Sequence, residues 1–146
     1  MLLFDGVVSG LAAGILMGLI SHAGFKAGIF KSSLFVIDGT FVQHKLRIQR
    51  EAKKAVLWGI PVHLLTSVSF GLGYVVPANL LQFDLLNVWF VALYTFMLWL
   101  SMLFVALPVA GQGLLGRHLG SLIWLEQIVC HIIFGIGLWT TLYLLH

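Results

Sequence analysis

Apolar residues fill four long stretches of the chain, and short polar clusters separate them. The stretches cover about residues 7–23, 55–81, 85–110 and 121–145. At 1.5 Å of rise per residue each is long enough, as a helix, to cross a hydrocarbon core about 30 Å thick. The pattern predicts an all-α polytopic membrane protein: one four-span bundle, residues 1–146, with short links that force antiparallel neighbours. The first stretch lacks the basic flank of a signal peptide, since Asp5 is the only charge before it, so it is read as an uncleaved helix.

The link between the first two spans breaks the pattern. Its first half, GFKAGIFKSSLFVIDGTF, is too apolar for a free loop and too interrupted to span, which predicts interfacial or re-entrant backbone. Asp38-Gly39 is expected to turn, and Thr40 with Gln43 has capping-box spacing. A cytoplasmic helix is expected to start there and run on into the second span. The other links are a tight turn at Asp84 and a glycine-rich loop, GQGLLGRHLG. Pro61, Pro77 and Pro108 are expected near span ends, where a missing backbone donor costs least. Trp58, Trp89, Trp124 and Tyr143 have the placement of an aromatic belt, with Trp99 and Trp139 packing deeper.

Composition agrees with the pattern. The chain is 60% hydrophobic and 9% charged, with a mean hydropathy of +1.05, where soluble domains carry about 25% charged residues. Disorder is excluded by the apolar content, and a disulfide scaffold by the single cysteine, Cys130. Cys130 itself is read as a small buried hydrophobe.

Charge sets the expected orientation. All eight basic residues fall in two links: Lys26, Lys31, Lys45, Arg47, Arg50, Lys53 and Lys54 in the first, and Arg117 in the third. The positive-inside rule then puts those links in the cytoplasm and both termini outside, in the plasma membrane of a bacterium or archaeon. The basic run before the second span is read as a topology signal near anionic lipid, with no nucleic-acid role.

Candidate chemistry is concentrated in the cytoplasmic half. His22, His44, His63, His118, His131, Glu126 and Gln127 all fall there, and His63 and His131 lie deepest, roughly 12–17 Å in at matched heights. Ionisable groups at the membrane centre cost at least ~2.5 kcal/mol and usually face a partner, so the cluster is a candidate site. Four readings compete. His63 and His131 could be axial ligands of a b-type haem, with Ser67 and Gln127 one turn away and His22 in reserve. His63, His131 and Glu126, with His22 as a further imidazole, could ligate a metal. The histidines and Glu126 could relay protons. Or each is a hydrogen-bonded core residue, with Glu126 paired to a basic loop residue.

Gly6, Gly10, Gly14 and Gly18 recur every fourth residue and make a flat helix stripe. Such a stripe admits a close neighbour: another span, a second protomer, a partner subunit or a flat prosthetic group. Together these features predict a small subunit of a larger membrane complex, or a homo-oligomer, in contact with lipid. Electron transfer through a haem or quinone is the expected role, rather than that of a stand-alone enzyme. A structural or assembly subunit, or a small transporter, is the alternative.

Overall fold

In the computed structural model, which describes residues 2–48 and 51–146, helices account for all the regular structure. Four are long and apolar enough to cross a membrane: α1 (Leu2–Lys26), α3 (Ala52–Leu80), the third span from Val88 to Val109, and α6 (Ile123–Leu145). The third span comprises α4 (Val88–Ser101), a π-helical turn at Met102–Ala106, and α5 (Leu107–Val109). The π turn has a local cause. Pro108 has no N–H for the Phe104 carbonyl, and widening the preceding turn relieves the ring against it. Leu107 N–H accordingly donates to Met102 O, five residues back.

α1 is the central helix. Its glycine stripe faces α3 in antiparallel register: Gly6 meets Leu72, Gly10 meets Ser67 and Gly71, Gly14 meets Ser67, and Gly18 meets Phe35 and His63. The neighbour that the stripe admits is therefore a helix of the same chain, and the stripe has no free face for a second protomer. On another side α1 takes α6, where a Cβ on Gly137 would lie 2.9 Å from Ala13 Cα. α4 packs on α6 around Gly135 and Thr95. The sequence carries a signal for this arrangement that the span analysis missed. The tetrapeptide Phe-Gly-x-Gly occurs twice, at residues 70–73 in α3 and 134–137 in α6. Gly71 and Gly137 both touch α1, and the two phenylalanine rings meet edge to face at 6.4 Å.

The first link corrects three expectations. Asp38, Gly39, Thr40 and Gln43 do not form a turn and a cap; they lie inside α2 (Leu34–Leu46), where Thr40 Oγ1 donates to Ile37 O. The helix does not run on into the second span. Arg47, at φ 54°, ends α2, and α3 begins separately at Ala52. Arg50, counted among the topology charges, lies outside the described residues. Tertiary packing overrides local cap signals here: Leu34, Phe35, Ile37, Gly39 and Gln43 are buried, largely against α3. The fourth correction concerns Pro61, which lies well inside α3 and is accommodated without a break.

Polar side chains satisfy the buried start of α2. Ser21 Oγ accepts the Leu34 N–H at 3.0 Å, and His22 Nδ1 shares a 3.0 Å hydrogen bond with the Ser33 hydroxyl. Glu126 accepts from the backbone N–H groups of Lys31 at 2.8 Å and Ser32 at 3.3 Å, and from the Ser32 hydroxyl. An unpaired buried N–H costs about 1–3 kcal/mol, which applies to the buried Leu34 amide on Ser21, whereas the Lys31 amide on Glu126 is exposed.

Candidate functional site

His63 and His131 come together. They line one small cavity of about 80 Å³, with Asp38, Thr66, Ser67 and Ser101 as its other polar walls. The two histidines and Ser67 are buried, whereas Thr66 and Ser101 are exposed and form the mouth. The bundle converges here for local reasons. Gly14 and Gly18 let α1 approach α3, Gly39 and Gly59 let α2 approach α3, and the π turn follows directly on Ser101.

The histidines differ in what their nitrogens do. His63 Nε2–H donates to Gly14 O at 3.1 Å, and Nδ1 lies 3.0 Å from Asp38 Oδ2. Both nitrogens are engaged. His131 Nδ1–H donates to Gln127 O at 2.7 Å, which leaves Nε2 as the acceptor of a neutral ring, with no partner among the described residues. Ser67 Oγ–H is committed to His63 O at 2.7 Å.

His131 also lines a second space, a lateral apolar groove of about 610 Å³ between α4 and α6. Gly135 and Ala92 keep its floor flat, Thr95 and Trp99 lie on the α4 side, and Trp139 on the α6 side. Both indoles are tied down. Trp99 Nε1–H donates to Trp124 O at 3.1 Å, and Trp139 Nε1–H to Leu86 O at 2.9 Å. One buried imidazole thus lines both a small cavity of mixed polar and apolar walls and a larger apolar groove.

The remaining candidates have other employment. Glu126 is occupied by the 31–32 backbone, and it is the Lys31 amide, not its ammonium, that it binds. His22 braces Ser33. Gln127 contributes its carbonyl to His131, while its own buried Oε1 has no partner among the described residues. His44 and His118 are exposed, and His118 Nδ1–H donates to Gly111 O. Among the described residues no three His, Cys, Asp or Glu side chains are close enough to hold a metal ion. His63, His131 and Glu126 therefore do not converge on one point.

A haem ligated by both His63 and His131 does not fit this arrangement. Each nitrogen of His63 already faces an oxygen, and 80 Å³ is far below the roughly 300–1,000 Å³ of a cofactor pocket. Asp38 is the site residue that sequence reasoning missed, having been read as a turn former. The available signal was its setting, a lone carboxylate within the apolar run FVIDGTF.

The fold and site define a class, an all-helical chain with four helices long and apolar enough to cross a membrane and a carboxylate–histidine pair whose imidazole is buried. No protein-family model matches the chain, and neither a curated protein nor a solved structure matches it.

Proposed function

We propose that this chain is a small integral membrane subunit that binds a quinone-class carrier in the groove between α4 and α6, with His131 facing the ring. One observation carries the reading: a buried imidazole, 5% exposed, lines a largely apolar groove of ligand size and has one nitrogen with no partner among the described residues. An alkyl chain filling the groove would leave that lone pair unmatched, at a cost of about 1–3 kcal/mol. A quinol hydroxyl donates to it, and its ring suits a flat floor beside two indoles. The electrons of quinol oxidation would go to a redox centre in a partner subunit of a larger complex.

The orientation and setting follow the charge. Every described basic residue lies at the end where α1 stops and α3 and α6 start, and this end is assigned to the cytoplasm, with both termini outside. α2 is then an interfacial helix on the cytoplasmic side, and the site lies in that half of the bundle. A transmembrane conduit is disfavoured because the polar cluster stays in this half.

Trp99 and Trp139 provide the test. Titrating the protein in lipid nanodiscs with a short-chain quinone should quench tryptophan fluorescence saturably, and Trp139→Phe should remove much of the signal. His131→Ala should weaken the corresponding quinol about tenfold, the equivalent of one hydrogen bond of about 1.4 kcal/mol. Quenching that never saturates, or that excess phospholipid abolishes, makes the groove a lipid slot and returns the chain to a structural role.

A further inference from the structure

The hydrogen-bond partners of His63 fix a proton count. The Gly14 carbonyl can only accept, so Nε2, 3.1 Å away, carries a hydrogen. An ionised Asp38 can also only accept, and a neutral imidazole has just one N–H. If His63 were neutral and Asp38 ionised, two lone pairs would face each other at 3.0 Å in a site where the histidine is 4% exposed. The geometry requires one more proton, either on Nδ1 as an imidazolium–carboxylate pair or on Oδ2 as a neutral carboxyl–imidazole pair. The two forms differ only in where that proton sits along one hydrogen bond.

A small cavity of about 80 Å³ lies beside the pair, with six apolar side chains among its walls, so it does not by itself supply a path of water. The side chain of Asp38 is 25% exposed, so the pair is not sealed in.

We infer that Asp38 and His63 share one dissociable proton, which exchanges with water through the exposed edge of the Asp38 carboxylate. Water at that edge delivers one proton to the pair and removes one, so one proton enters, one leaves, and no electrons move. The inference does not rest on the proposed quinone.

The test uses the full chain in nanodiscs, labelled with ¹⁵N at histidine, in neutral buffer. His63, identified by the signals lost in His63→Gln, should show both nitrogens protonated. If the proton sits on the carboxyl, a carboxylic-acid C=O stretch should appear instead and be lost in Asp38→Asn. If His63→Gln does not fold, the signals that Asp38→Asn alters make the assignment. A neutral His63 with no carboxylic-acid band overturns the shared proton. On transfer to D₂O the pair should exchange as readily as the other partly exposed side chains, and a pair that keeps its hydrogen while those exchange overturns the access through Asp38. Neither measurement uses a quinone, so failure of quinone binding and failure of the shared proton are separate results.

Discussion

Gly39 of α2 and Gly59 of α3 face each other so closely that a Cβ on Gly59 would lie 3.0 Å from the Gly39 nitrogen and against the Phe35 carbonyl oxygen. A Cβ on Gly39 would meet the Ala55 backbone. Backbone cannot yield as a side-chain tip can, so Gly39→Ala or Gly59→Ala must push the two helices apart. Asp38 is the neighbour of Gly39, and its reach to His63 depends on that spacing.

The expected cost of either change is about 1–3 kcal/mol, the usual range for overpacking. Thermal melting in detergent should show a lowered midpoint for both. The ¹⁵N signals of His63 should shift as Asp38 withdraws. A melting midpoint equal to that of the parent would mean that α2 is not docked as described.

The glycine stripe allows a sharper comparison. A Cβ on Gly14 would strike the side chain of Ser67, whereas one on Gly10 would strike the Ser67 carbonyl and lie 2.9 Å from Gly71 Cα. Ser67→Gly should therefore recover part of the stability lost in Gly14→Ala and none of that lost in Gly10→Ala. A double-mutant cycle measures this, with an expected coupling of about 0.5–3 kcal/mol for the first pair only. Native mass should not change in either single variant, because the stripe packs within the chain.

Glu126→Gln should loosen the segment before α2. The amide keeps one acceptor oxygen but turns an N–H₂ toward donors that the carboxylate now satisfies. The loss is expected at about 0.5–1.5 kcal/mol, because these hydrogen bonds are exposed or part-buried, with faster proteolysis between residues 27 and 33. Lys31→Ala is the control and should be close to neutral, since Glu126 binds the Lys31 backbone. If Lys31→Ala matches Glu126→Gln, the interaction is an ion pair after all.

Ser21→Ala removes the hydroxyl oxygen that accepts the buried Leu34 N–H. A destabilisation of about 1–3 kcal/mol is expected. Hydrogen exchange at Leu34 should accelerate with it, and Ser21→Thr should restore protection. Unchanged exchange in Ser21→Ala would show that the amide has another acceptor.

The four spans were legible in the sequence because crossing a membrane is a demand on local composition. About 20 apolar residues are required wherever the helix goes, and residues 55–81 and 121–145 show them whatever they pack against. That His63 and His131 lie at one level of the bundle was legible too, since helical rise converts position into height and both line the same cavity. Which face each residue presents was not. Asp38 and Gly39 have local turn chemistry, yet both lie within α2, because burial against α3 outweighs a weak cap preference. The stripe of Gly6, Gly10, Gly14 and Gly18 declared a close neighbour without naming it, and only the packing of α1 on α3 made that neighbour internal. The state of His63 likewise depends on oxygens 25 residues before it in Asp38 and 49 before it in Gly14. Local composition decided which stretches are long and apolar enough to span a membrane, and helical rise decided how far along its helix each ionisable group lies. Tertiary packing decided which of them meet, because hydrogen bonds are made to whatever atom the fold brings within 3 Å.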